Sequence, residues 1–264
     1  MRIGLVLVEG QEADLARLAE TNGLFGVLAG TGNPLTAINA AVYASTATEF
    51  LRVVTRVRLG LEHPVTTAEE LSILDNVNNG RTIVLADTGD LNHEAAADEI
   101  AVLREALSSR PIQHQGPVWK VPAGLPANAA APRSISVTPK PAQLEVPFWL
   151  TGPVSGEVGD ASALPVLARE PRQLSNPKLV EPGLAAISGN LKPDRELVAA
   201  WAAAGVTHLF LELPAGADPA QILTLVSRHL APEVLMPHFP RVMSESKVPL
   251  PWPGDAIKPG GRRH

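Results

Sequence analysis

Proline is spread so unevenly along this 264-residue chain that it decides where regular structure can lie: of 25 prolines, only Pro34 and Pro64 precede residue 111. Proline lacks a backbone donor and breaks helix interiors, so uninterrupted elements belong in that first stretch. There, short apolar runs alternate with helical spacings. Residues 3–8 read as a strand, and 12–21 carry helical spacing (Leu15, Leu18, Ala19) closed by Asn22-Gly23. Residues 24–29 are again strand-like. Asn33 as N-cap and Pro34 in the first position open an Ala-rich helix to about Thr48. Residues 52–61 alternate Val and Arg as a strand does. Thr67 to Glu70 has capping-box spacing and predicts a helix start, with Leu71, Leu74 and Val77 on one face and Asn79-Gly80 at the end. Residues 82–86 predict a strand and 94–108 a helix.

Short apolar strands that each precede a helix imply parallel strands buried on both faces. The second half continues the alternation: strand 148–151, short helix 162–168, strand 173–175, strand 184–188, helix 193–204 closed by Gly205, strand 208–213 and helix 218–230. Four units plus four predict an α/β fold, a (β/α)8 barrel. An open doubly wound sheet is disfavoured, because no Gly-x-Gly-x-x-Gly follows the first strand. Residues 111–147, rich in proline and with strand-like pieces at 118–121 and 135–138, read as a hairpin or lid between the fourth and fifth units. Residues 1–236 then form one barrel domain, and 237–264, with six prolines, an extended arm.

Composition narrows the chemistry. Lys and Arg number 22 against 27 Asp and Glu, a net charge of −5, so neither nucleic acid nor an anionic membrane is an expected partner. The absence of cysteine excludes disulfides, thiolate metal sites and thiol nucleophiles. The seven histidines include no His-Glu-x-x-His, and no metal is expected. No nucleophile elbow or phosphate-binding Gly-x-x-x-x-Gly-Lys occurs. With no long apolar span and no basic, cleavable N-terminal segment, a cytoplasmic protein is expected.

The stretch from His63-Pro64 through Ala68-Glu69 and Leu74-Asp75 to Gly80-Arg81 resembles the luciferase-like oxidoreductase family, in which a His-Pro and an Ala-Glu helix with Leu-Asp lead into the fourth barrel strand. Weaker likenesses run in order along residues 1–235: Gly23-Leu-Phe25, Thr55 to Gly60, His114-Gln-Gly116-Pro-Val-Trp119, Pro147-Phe-Trp149, and Ala204-Gly205-Val206 with Phe210. The resemblance implies a barrel that binds FMN or coenzyme F420 at the C-terminal ends of its strands. It implies hydride transfer or monooxygenation of a small organic substrate, and a homodimer packed through early helices.

The resemblance also implies positions. The cofactor ring would lie against residues 4–7, against Gly60, Leu61 and Glu62, and against the loop Asp87, Thr88, Gly89, Asp90, Leu91 and Asn92, which is similar to the Gly-Thr-Gly-Glu-Ala-Leu-Asn of deazaflavin enzymes. Ser175 and Lys178 fall where some of those enzymes bind phosphate, a chemistry that a hydroxyl and one lysine suit. Ser188 and Gly189 permit close approach of cofactor or phosphate. His63 with Glu62, and His93 beyond the fourth strand, are the candidate acid–base groups. Each has a structural alternative: Asp90 or Asn92 as a helix cap, Lys178 as a solvated lysine, Ser188-Gly189 as an ordinary turn, His63-Pro64 as a turn. Two departures stand out. Thr88 occupies the place of a phosphate-binding arginine of bacterial luciferase. Gly30-Thr31-Gly32-Asn33 lacks the histidine and tryptophan that deazaflavin dehydrogenases carry there. They keep a second reading in play, a degenerate barrel serving as a non-catalytic partner subunit or binding protein.

Overall fold

The structure, a computed structural model, describes residues 1–123, 132–151, 164–171 and 182–230. Four strand–helix pairs follow one another: β1 (Arg2–Val6) and α1 (Glu12–Thr21), β2 (Gly26–Ala29) and α2 (Ala37–Thr46), β3 (Arg52–Arg58) and α3 (Pro64–Val77), β4 (Thr82–Asp87) and α4 (His93–Leu107). A small antiparallel hairpin, β5 (His114–Gln115) and β6 (Lys120–Val121), comes next. Then follow β7 (Phe148–Thr151), β8 (Pro182–Ala186), α5 (Leu191–Ala203), β9 (His208–Glu212) and α6 (Pro219–Leu225).

Among the described residues, seven strands form one parallel sheet in the order β7-β4-β3-β2-β1-β9-β8. It curls until its edges are tied together through residues 165–168. Leu150 on β7 bridges Val166, and Ala168 bridges Gly183 on β8, with Leu150 N–H on the Pro165 carbonyl at 2.7 Å and Leu184 N–H on that of Ala168 at 2.9 Å. This corrects the expected helix at 162–168 over its described part. Pro165 cannot donate within a helix, and Leu167 and Ala168 turn to opposite faces of the sheet with the period of a strand. The sixth strand position thus falls earlier than 173–175, which lies outside the described residues, as does the tail from Pro237.

Both faces of the curled sheet are buried, as its unalternated apolar strands require. Inside, Val6, Leu28, Val54, Ile83, Leu85, Trp149, Leu167, Leu184 and Phe210 fill the lumen. Outside, their neighbours such as Leu5, Val27, Val53, Val84 and Leu209 pack under the helices. Gly4 makes room for Phe210, since a Cβ there would lie 2.5 Å from the ring. At the lumen floor His208 sits edge-on to Phe25 at 4.5 Å, and burial, with Arg2 and the amino terminus nearby, pushes its pKa down to about 4.

Most helix boundaries follow local chemistry. Asn92 accepts the Ala95 N–H at 2.9 Å and opens α4, whereas Asn33, which accepts the Leu35 N–H at 3.0 Å, caps a single 3-10 turn, Pro34–Thr36, so that α2 begins at Ala37, later than the expected start at Asn33-Pro34. The Thr67 capping box is not used. α3 starts one turn earlier because Pro64 suits the first helical position and His63 Nδ1 accepts the Val65 N–H at 3.2 Å. Among the described residues no helix is long and apolar enough to cross a membrane.

The block that carries the family likeness is a buried knot at the floor. Arg81 donates to the carbonyls of Asn78 (2.6 Å), Leu51 (2.7 Å), Thr48 (2.9 Å) and Ser45 (3.2 Å), stitching α2, α3 and the entry to β3 together. Asp75 accepts the Gln143 N–H at 2.9 Å and its side-chain amide at 2.8 Å, anchoring the segment before β7. Lysine keeps the charge of Arg81 but not its planar fork of donors. We expect Arg81→Lys to cost about 2 kcal/mol or more in urea unfolding, because it strands buried carbonyls. A variant as stable as the parent would show that the knot is not needed.

Candidate functional site

β3 runs Arg52-Val-Val-Thr-Arg-Val-Arg58, and Val54 faces the lumen, so the period of two puts Arg56 and Arg58 on the same side at its upper, C-terminal end. β4 places Asp87 beside them, in register with Arg58. Arg56 grips Asp87 Oδ2 with Nη2 at 2.6 Å and Nε at 3.0 Å, and its Nη1 donates to the Thr31 carbonyl at 3.2 Å. Arg58 reaches the same carboxylate more loosely, at 3.4 Å, and the fully exposed Asp90 at 3.0 Å. Burial alone would raise the Asp87 pKa. The hydrogen bonds and charge of Arg56, the Gly89 N–H and Arg58 outweigh it and hold Asp87 below its ordinary carboxyl value.

The loop beyond β4 is shaped by this cluster. Gly89 adopts a φ of +54°, and the Arg58 guanidinium lies against its backbone where any side chain would stand. Thr88 is buried and its carbonyl accepts the Leu91 N–H, while Leu91 packs over Gly60. Asp87, Thr88, Gly89 and Asp90 therefore lie in a loop that meets the Gly60 turn through Leu91. Asn92 is committed to capping α4.

Other expected residues lie differently. His63 caps α3, and its ring meets Trp119 of the β5–β6 hairpin edge-on at 4.8 Å. Glu62 is exposed and helps, after burial, to raise the Glu70 pKa. His93 opens α4 with a buried Nε2 that finds no hydrogen-bond partner among the described residues. Ser188 and Gly189 give their N–H groups to Asp194 at 2.8 and 2.9 Å, which leaves neither free for a phosphate. The Gly60 N–H is likewise held by Glu99 at 2.9 Å. Ser175 and Lys178 lie outside the described residues. Among the described residues no three His, Asp or Glu side chains converge as a metal site would need.

Two depressions open at the mouth. One, of about 370 Å³, is lined by Val6, Leu7, Gly30, Thr31, Asn33 and Glu212 at the ends of β1, β2 and β9. The other, of about 280 Å³, runs between α2 and α3 along Leu35, Ile38 and Leu61 and ends on Arg56 and Arg58. Sequence reasoning singled out Asp87 but not its arginine partners. The signal was the spacing of Arg56 and Arg58 in a strand buried on both faces, where a charge at every second position has to meet a counter-charge.

Two variants test this rim. Asp87→Asn leaves Arg56 without its carboxylate and should cost about 2–3 kcal/mol at neutral pH, somewhat less than a fully buried pair because Arg56 is partly exposed. Since the folded-state pKa of Asp87 is depressed, its stabilisation is present above the ordinary carboxyl value and is lost as pH falls through the lower folded one. The variant's urea midpoint should therefore fall less steeply than the parent's in acid. Gly89→Ala should expel the Arg58 guanidinium and break the Asp90 contact, detectable as loss of the salt dependence that this pair contributes.

Comparison with known proteins places this architecture. The sequence model of the luciferase-like monooxygenase family matches residues 10–157, more than half of the chain. Among solved structures, the coenzyme F420-dependent tetrahydromethanopterin reductase of Methanopyrus kandleri superposes with a TM-score of 0.68 at 15% identity, over 88% of this chain and 99% of that one. The monooxygenase RslO1 of Streptomyces bottropensis gives 0.66 at 16% identity over 88% and 99%. The oxygenating constituent of 3,6-diketocamphane monooxygenase of Pseudomonas putida, solved with FMN, gives 0.60 at 14% identity over 90% and 99%. At such identities the structures speak for the fold, and the sequence model for the lineage: the chain belongs to the luciferase-like monooxygenase family.

Proposed function

We propose that this protein is a cytoplasmic, homodimeric oxidoreductase that binds FMN or coenzyme F420 at the barrel mouth and uses it for hydride transfer or monooxygenation of a small organic substrate. The observation that carries this reading is the cleft of about 370 Å³ at the C-terminal ends of β1, β2 and β9, where enzymes of barrel architecture place their chemistry. Its residues suit a planar ring. Val6, Leu7 and Leu213 offer apolar contact, Thr31 and Asn33 offer hydrogen bonds, and Gly32 has open space where a Cβ would be. Its volume falls within the range of small-molecule sites.

When bound, the flavin or deazaflavin supplies two-electron redox chemistry, and the protein's part is to bind, orient and exclude water. In this reading Gly60, Leu61 and the loop of Asp87, Thr88, Gly89 and Asp90 form the rim opposite the cleft, and Asn92 keeps that loop in place by capping α4. Ser175 and Lys178 hold the phosphate. Ser188 and Gly189, fixed by Asp194, line the approach without donating. His93, whose Nε2 has no partner, is the imidazole proposed to hold a proton near substrate, and Glu62 and His63 flank the entrance.

Dimerisation is proposed through α2 and α3. Tyr43, Ile73 and Val77 on these helices are 60%, 51% and 43% exposed, a run of apolar side chains that a monomer seldom leaves in water.

Two measurements check the proposal. Fluorescence titration of the purified chain with FMN and F420, oxidised and reduced, should give saturable binding of one cofactor at about micromolar affinity or tighter. Binding of neither, in either redox state, would favour the non-catalytic barrel. Sedimentation should give a dimer that Ile73→Glu converts to monomer, whereas a monomeric parent would remove the α2–α3 interface.

A further inference from the structure

Charges at the upper ends of the strands are of two kinds. On β3 and β4 they are answered within the protein, since Arg56 is gripped by Asp87 and Arg58 lies between Asp87 and Asp90. On β9 they are not. His208 and Phe210 face the lumen, where both rings meet Trp149, and the period of two puts Glu212 on that same side at the C-terminal end. The β8 residue in register with Glu212 is Ala186, and Val6 of β1 shares its face. Both are apolar. Glu212 is half-buried, and among the described residues its carboxylate has neither an ion pair nor a hydrogen bond. Arg169, which borders a neighbouring depression together with Glu212, is exposed and makes no ion pair with it.

Glu212 lines the cleft of about 370 Å³, and among the described residues no lysine or arginine does. Arg56 reaches the Gly30 and Thr31 carbonyls in the cleft wall, but that guanidinium already belongs to Asp87. Glu12 is occupied by the Gly10 N–H, and Glu9 is exposed at the cleft's edge, where water screens it. A half-buried carboxylate without a counter-charge costs free energy that a cationic ligand offsets. We propose that Glu212 sets the substrate class of this cleft: it receives the ammonium group of a small organic amine whose apolar part lies against Val6 and Leu213. The end of a barrel strand is where this architecture places residues that touch substrate. The inference rests on the reading of the cleft as an active site, with the cofactor ring beside the amine, yet its charge selectivity is measurable without a cofactor.

The test is calorimetric titration of the full chain with benzylamine, cationic at neutral pH, and with benzyl alcohol, which shares its ring and lacks its charge. Benzylamine should bind about tenfold tighter or better, and the preference should shrink as salt is added. Glu212→Gln should abolish the preference, and Glu212→Asp, with the same charge on a shorter arm, should retain part of it. Glu9→Gln, at an exposed side chain, should change it by less than about twofold. The urea midpoint of Glu212→Gln should equal or exceed the parent's, because no ion pair is lost. Equal binding of the two ligands, no binding of benzylamine, or a preference that survives Glu212→Gln would overturn the proposal. So would a lowered urea midpoint, which would give the carboxylate a partner within the fold, or displacement of benzylamine by the cofactor, which would put the ring on Glu212. The two readings fail separately: amine preference without cofactor binding removes the oxidoreductase, and cofactor binding without amine preference removes the role of Glu212.

Discussion

One carboxylate, that of Asp87, decides what the top of this barrel can be. Below it the lumen is filled by Val, Leu, Ile, Trp and Phe side chains, and a lone arginine there would be prohibitively costly. Two arginines on β3 are tolerated because β4 brings Asp87 into register with Arg58 and within 2.6 Å of Arg56. Removing the carboxylate would leave both guanidinium groups facing an apolar plug. The pair also draws the β2 end in, since Arg56 reaches the Thr31 carbonyl, so three strand ends are fixed by one interaction.

The same device recurs wherever a loop must be held. Glu20 at the end of α1 accepts the N–H groups of Glu49, Phe50 and Leu51. Asp98 on α4 accepts those of Val118 and Trp119 and contacts His114, which pins the β5–β6 hairpin against the barrel. Asp75, Glu99 and Asp194 do likewise for the segment before β7, the β3–α3 turn and the β8–α5 turn. A chain with only 4% aromatic residues has few large side chains with which to pack down its loops, and here buried and half-buried carboxylates saturate their amides instead. One consequence is that the amides of Gly60, Ser188 and Gly189, already bound to carboxylates, are not available to a phosphate.

The first half of the fold was legible because its signals are local. Asn22-Gly23, Asn33-Pro34 and Asn79-Gly80 each mark a boundary through backbone preferences that tertiary context did not override. The short strand-like turn at 166–168 was not legible, since three residues carry too little pattern to separate a strand from a helix, and its role is to bridge β7 and β8, which lie far apart in sequence. The start of α3 was misjudged for a related reason. Histidine is an uncommon cap, and the Thr67–Glu70 spacing obscured it. The strongest family signature, from His63 to Arg81, is mostly α3 and ends in the floor knot of Asn78 and Arg81. The resemblance pointed to Asp87 in the loop after the fourth strand, while its partners Arg56 and Arg58 follow from strand period and register.

The charge at this mouth is arranged to stay fixed. Asp87 is held below the ordinary carboxyl range and remains ionised near neutrality, which makes it a permanent counter-charge and not a proton donor. The carboxyls whose pKa is raised, Glu70 and Glu99, stand on α3 and behind the Gly60 turn. Thr31 and Asn33, in the loop after β2, form hydrogen bonds without exchanging protons at neutral pH. A mouth so built suits the orientation of a ligand and the exclusion of water better than acid–base chemistry. That is the division of labour expected where a bound cofactor carries the reaction.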